Sequence, residues 1–258
     1  MRFVSTTSAL NLRQDPRASS DVPILGELRQ GDLFESDGKE KHGDPWVVGN
    51  VLSGMAAGLS GYVRRKWLAQ HFDTPPVWGP LDPTAAAHII RTRTKEFDAV
   101  VYHLPLTGPK KAATWAELSK SGWIDCSGWV YLLAREVLGA YGRKTKPGAL
   151  STHSDSQITA VGARTGLTVS WTWLQKPLLR PGVLVGIDFK EYSWDRNRAL
   201  DIDHIVMIGG DEDGSMFVSQ SSSSGGGVNR VPLDKWWASV GTLVSANRVH
   251  AVDLLSLP

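Results

Sequence analysis

The sequence predicts an α+β domain preceded by a small all-β barrel. Residues 1 to 73 carry short apolar runs separated by Asp, Gly, Ser and Pro, a spacing that suits several short strands with turns between them. Thr74, Pro75, Pro76, Gly79, Pro80 and Pro83 then crowd one stretch, which suits an extended connector. The second half gives one strong helical period followed by several strand-like runs, the order of an α+β domain. The expected division is a barrel at 1–73, a linker and N-terminal extension at 74–111, and the larger domain at 112–258.

Composition narrows the function before any motif is read. The 258 residues hold 28 Lys+Arg and 26 Asp+Glu, a formal charge of +2, and are 41% hydrophobic. A chain of this size buries about three quarters of its unfolded surface, enough for a core without staples. No run approaches the roughly 18 apolar residues of a membrane helix, and mild basicity alone gives no support for nucleic-acid binding. One cysteine makes neither an internal disulfide nor a multi-cysteine zinc site. The start, MRFVSTTSALNLRQDP, lacks the apolar core of a Sec-type signal. The expectation is a cytoplasmic protein or one delivered by a leaderless route, unless the sequence begins after a leader.

In the first segment the runs are Phe3-Val4, Ile24-Leu25, Leu33-Phe34, Trp46-Val47-Val48 and Gly61-Tyr62-Val63. Trp46 and Trp67 read as core packing, and Arg64, Arg65 and Lys66 as a solvated strand end. Farther on, Cys126, Trp129, Val130, Leu133 and Val137 fall on one helical face, and the helix is expected to begin at Asp125. Val183–Ile187, His204–Ile208 and Met216–Val218 read as strands between Gly, Asp and Ser turns.

Chemistry concentrates at two places. Cys126 stands in the first helical turn, where unpaired N–H groups and the positive dipole end favour a thiolate. A lone cysteine is also commonly a small buried hydrophobe, but the polar neighbours Asp125 and Ser127 suggest an accessible edge. A nucleophilic thiol needs a base close in space. Of the seven histidines, His42, His71 and His250 lie in polar or terminal contexts, and His88 and His103 precede the helix. His204 opens a strand, where it can face the start of a helix packed on the sheet. An orienting group for its ring is offered by Ser219 or Gln220, which point to opposite faces. The longer amide of Gln220 is the favoured choice.

These segments resemble known families. LNLRQDP at 10 to 16, the turn at 28 to 32, Trp46 and GYVRRKWL at 61 to 68 resemble the bacterial SH3-like family. DCSGWV at 125 to 130, LSTHSDSQ at 150 to 157, LLRPGVLVGIDF at 178 to 189, DHIVMIGG at 203 to 210 and FVSQSSSSGGGV at 217 to 228 resemble the successive motifs of NlpC-type papain-like cysteine peptidases of peptidoglycan. The resemblance implies a papain-like α+β fold and hydrolysis of peptidoglycan stem peptides at the D-γ-glutamyl bond to diaminopimelate or lysine. It implies no cofactor and no metal, and a stem peptide or muropeptide as partner rather than nucleic acid or membrane. Cys126 matches the nucleophile and His204 the base. Asp125 and Ser127 match positions that hold the free amine of the stem's L-alanine, and His153 lies in a substrate-groove motif.

The sequence departs from the family where its third catalytic residue is commonly His, and in the long charged loop from Lys190 to Ile202 with Trp194. Trp171, Trp173, Trp236 and Trp237 are groove or packing candidates, and Gly225–Gly227 reads as a flexible turn. Two other readings compete: a thiol acyltransferase or deamidase on the same fold, and a non-catalytic wall-binding module.

Overall fold

A computed structural model of the chain describes residues 1–36, 45–104, 111–143, 150, 152–170, 174, 178–192, 198–241 and 248–258. His42, Trp171, Trp173 and Trp194 lie outside the described residues. The chain forms two sheets with helices on the second, a mixed α and β architecture.

The first sheet comprises β1 (Arg2–Ser5), β2 (Leu10–Arg13), β3 (Ile24–Leu28), β4 (Leu33–Ser36), β5 (Trp46–Val51), β6 (Ser60–Arg64) and β7 (Leu68–Gln70). Their order is β3-β2-β6-β5-β4-β1-β7, antiparallel throughout, and the edges β3 and β7 are not paired with each other among the described residues. Alternation turns Phe3, Leu12, Leu28, Phe34, Val63 and Leu68 into one closed core. Gly49 permits the tightest approach in this sheet, because a Cβ there would stand 2.1 Å from the Glu35 carbonyl oxygen.

The basic run after β6 is not a solvated strand end. Arg65 is buried, donates to the Leu68 carbonyl at 2.6 Å and lies over the Phe3 ring. Lys66 reaches into the second layer, with Nζ 2.7 Å from Glu191 and 2.8 Å from Asp201, which is wholly buried and holds a left-handed backbone at φ 54°. Buried charge is tolerated only when paired, so these cations were drawn inward by the carboxylates and carbonyls they satisfy. Gln70 adds a second tie, donating to the Gly166 carbonyl and accepting from the Thr168 N–H. Replacing Lys66 with Met removes the ammonium from the buried Asp201 carboxylate and is expected to cost about 3 kcal/mol, read as a lower midpoint in a urea melt. An unchanged midpoint would mean that the pair contributes nothing.

The second layer begins inside the stretch read as linker and N-terminal extension. α1 (Thr84–Glu96) packs on the sheet and on the central helix, and β8 (Val101–Tyr102) joins the sheet itself. Ala86 and Ile90 on its inner face explain this, although alternating charges on the outer face mask the period. There follow α2 (Trp115–Ser121), β9 (Trp123–Ile124), α3 (Cys126–Ala140), α4 (Ser154–Thr165), β10 (Val169–Ser170), β11 (Val183–Ile187), β12 (His204–Gly210), β13 (Met216–Ser222), β14 (Gly227–Pro232), α5 (Leu233–Val240) and β15 (Val249–Asp253). The sheet order is β10-β15-β11-β12-β13-β14-β8-β9, antiparallel except for the β8–β9 pair.

Strand alternation splits the core in two. Ile205, Met207 and Phe217 face α1 and α3 with Trp129 and Leu133, whereas Val206, Ile208 and Val218 face α5 with Leu233 and Trp236. Trp129 pins α3 to β13, its Nε1 donating to Ser219 Oγ at 2.9 Å. The glycine stretch forms a hairpin turn between β13 and β14, and Gly227 passes so close to β8 that a Cβ would lie 2.0 Å from the Val100 carbonyl oxygen.

Candidate functional site

The α3 start follows from three side chains. Asp125 caps the helix, with Oδ1 accepting the Gly128 N–H at 2.8 Å. Gly128 has no side chain because a Cβ would meet that same carboxylate at 2.9 Å and Ile124 at 2.9 Å. Cys126, between cap and glycine, takes the first helical position, at the floor of a cleft of about 630 Å³ lined also by Tyr102, Lys111, His153, Tyr192, Arg198 and Asp203.

Sγ lies against the strand backbone on both sides of His204. Its S–H points at the Asp203 carbonyl at 4.0 Å, and the Ile205 N–H is directed at the sulfur. The His204 ring is half-buried, with Nε2 2.7 Å from Gln220 Oε1. That bond leaves Nδ1 as the nitrogen able to take a proton. Among the described residues no hydrogen bond joins Sγ to the ring, so the resting thiol is parked on the carbonyl. Ser219, on the opposite face of β13, is bonded to Trp129 and Thr94 instead. Phe189 stacks over the ring at 6.1 Å, held there by its N–H bond to Asp203 Oδ2.

The electrostatics differ from the helix-start expectation. Burial first, then the Asp125 charge, push the Cys126 thiol up to about 11, although the Ile205 N–H, Lys111 and the Ser127 N–H pull the other way. The accessible edge read from Asp125 and Ser127 is also absent: they are 1% and 4% exposed. Their polarity faces inward, onto Lys111. Burial holds the His204 imidazole below its usual value, partly offset by the Gln220 bond. Thiol and imidazole are therefore both neutral at pH 7.

Lys111, Tyr102 and Arg198 are the cleft residues that sequence reading missed. Lys111 Nζ lies 2.6 Å from Asp125 Oδ2, 2.7 Å from Ser127 Oγ and 2.9 Å from the Thr152 carbonyl. Nothing in the local sequence signals this, because the three acceptors come from two distant segments. Burial, with the negative charges of Cys126 and Asp125, pushes the Tyr102 hydroxyl up to about 12. His153 is exposed on the cleft rim as the residue before α4, whose Gln157 donates to the Ser127 carbonyl. A larger cavity of about 1,070 Å³ lies between α1 and the β12–β13 turn; its lining includes the ion pairs Arg91–Glu212 and Arg230–Asp211 and no cysteine. Among the described residues no three His, Cys, Asp or Glu side chains are placed to hold a metal, and no helix is long and apolar enough to cross a membrane.

No protein-family model matches the chain, and no curated protein matches it. Among solved structures, NlpC2 from Trichomonas vaginalis aligns over 91% of this chain and 68% of its own, at 14% identity and a TM-score of 0.34. A likeness of that score is too distant to carry a functional argument.

Proposed function

We propose that the protein is a cysteine endopeptidase of the NlpC type that hydrolyses peptidoglycan stem peptides at the D-γ-glutamyl bond to diaminopimelate or lysine. The observation that carries the reading is a helix-start thiol at the floor of a cleft, lying on the backbone of a histidine whose far nitrogen is held by Gln220. The choice of substrate rests on the motif resemblance, and the first sheet is read with it as an SH3-like companion that binds or spaces the wall peptide.

In this mechanism the thiol swings from the Asp203 carbonyl to Nδ1 of His204. Sγ attacks the scissile carbonyl carbon as the thiol proton passes to Nδ1, and the Cys126 N–H steadies the oxyanion. The imidazolium returns that proton to the leaving amine, giving a thioester. Water, deprotonated by Nδ1, then releases the carboxylate and the thiol. Incubation with sacculi and with free stem peptides, followed by mass spectrometry, tests the reading: the expected product pair ends in D-glutamate and begins with the diamino acid. If both substrates stay intact while glutamine amides or lipid acyl donors turn over, the acyltransferase or deamidase reading replaces it.

Gln220 is a positioning residue here, and its loss has a signature. Gln220→Leu removes the bond that raises the imidazole, so the acid limb of kcat/KM is expected to move to lower pH while the plateau falls about 10-fold or more. Ser219→Ala breaks only the Trp129 and Thr94 bonds. It should lower stability by about 1 kcal/mol and leave the limb in place.

A further inference from the structure

An ammonium site lies beside the nucleophile, and the chain fills it. Asp125 Oδ2, Ser127 Oγ and the Thr152 carbonyl converge on one point, at 2.6, 2.7 and 2.9 Å from Lys111 Nζ. An ammonium has three N–H donors, and here each has its acceptor. The carboxylate is 1% exposed, and its other oxygen is engaged by the Gly128 N–H, so both oxygens already hold a donor.

The other carboxylates among the described cleft residues are engaged too. Asp155 Oδ2 accepts from the Leu200 N–H at 2.8 Å, and Asp203 Oδ2 accepts from the Phe189 and Lys190 N–H groups, with Arg198 3.8 Å from its Oδ1. Among the described residues, a peptide entering with a free α-amine meets the cations Lys111 and Arg198 and finds its counter-charge at Asp125 by displacing the first. A peptide whose first amine is already an amide brings no charge and needs none.

We propose that Lys111 is a built-in occupant of the ammonium site, and that the protein therefore selects stem peptides whose L-alanine amine is acylated, as it is while the stem remains joined to the glycan, over peptides in which it is free. The proposal rests on the peptidase reading and names the substrate class of that same cleft. It replaces the expectation that Asp125 and Ser127 hold the substrate's amine.

Two measurements decide it. The first compares kcat/KM for L-Ala-γ-D-Glu-diaminopimelate and its N-acetyl derivative. The native protein is expected to favour the acetylated peptide by at least 10-fold, and Lys111→Ala to shift the ratio at least 10-fold toward the free amine, because vacated acceptors can take the substrate's ammonium. A native preference for the free amine, or a ratio unmoved in the folded variant, overturns the proposal. The second needs no catalysis: propylammonium chloride should raise the melting temperature of Lys111→Ala by several degrees more than tetramethylammonium chloride does, and leave the native protein unaffected. Equal effects of the two salts on the variant overturn the assignment of these acceptors as an ammonium site. Hydrolysis of neither peptide sinks the peptidase reading and the selectivity with it, and the melting comparison still decides the site.

Discussion

Cys126→Ala is expected to lower peptide hydrolysis by at least 10⁴-fold and to leave the fold intact. The sulfur is the one thiol in the chain, and the cleft hydroxyls of Ser127 and Ser154 are held by Lys111 and the Ile202 carbonyl. Its structural share is small, since the side chain makes a long S–H bond to the Asp203 carbonyl, receives the Ile205 N–H, and takes no part in the Asp125 cap. Loss of activity with an unchanged melting profile would therefore report chemistry rather than packing. The resting thiol should also be sluggish. With its pKa pushed up to about 11, roughly one molecule in 10⁴ carries a thiolate at pH 7, against a few per cent for free cysteine. Iodoacetamide is expected to label the native protein about 10²-fold more slowly than free cysteine. Full hydrolysis by the alanine variant would end the nucleophile assignment.

Much of this arrangement was legible in the sequence because it depends on local rules. Asp125 as cap, Cys126 as first helical residue and the apolar face through Trp129 and Leu133 follow from a 3.6-residue period and a capping side chain. The β11, β12 and β13 strands announce themselves as apolar runs between turn residues, and two-residue alternation separates Ser219 from Gln220. What could not be read depends on contacts distant in the chain. The inward course of Arg65 and Lys66 is set by Leu68, Glu191 and Asp201, and a basic triplet looks the same whether water or carboxylates receive it. The thiol's high pKa has the same origin. The helix start favours an anion, but 6% exposure and a carboxylate one residue away outweigh it, and neither burial nor the position of Lys111 is written in the local sequence.

His204→Ala is expected to lower kcat/KM about 10³-fold at pH 7 and, more tellingly, to change the shape of the pH profile. The signs fix the shape. Burial holds the native imidazole below its usual value and pushes the thiol up to about 11, so the thiolate–imidazolium pair lies uphill of the neutral one. Among the described residues no hydrogen bond joins the two groups to offset this, so the neutral pair is the ground state. The proton then moves only as the sulfur attacks. Native activity should rise as the imidazole loses its proton below pH 6.5 and stay level through pH 9. Without the ring, solvent must take the proton, and the residual rate should climb about tenfold per pH unit toward 11. A native profile that climbs in the same way would show that His204 does not accept the thiol proton, and the Gln220 bond would then serve packing alone.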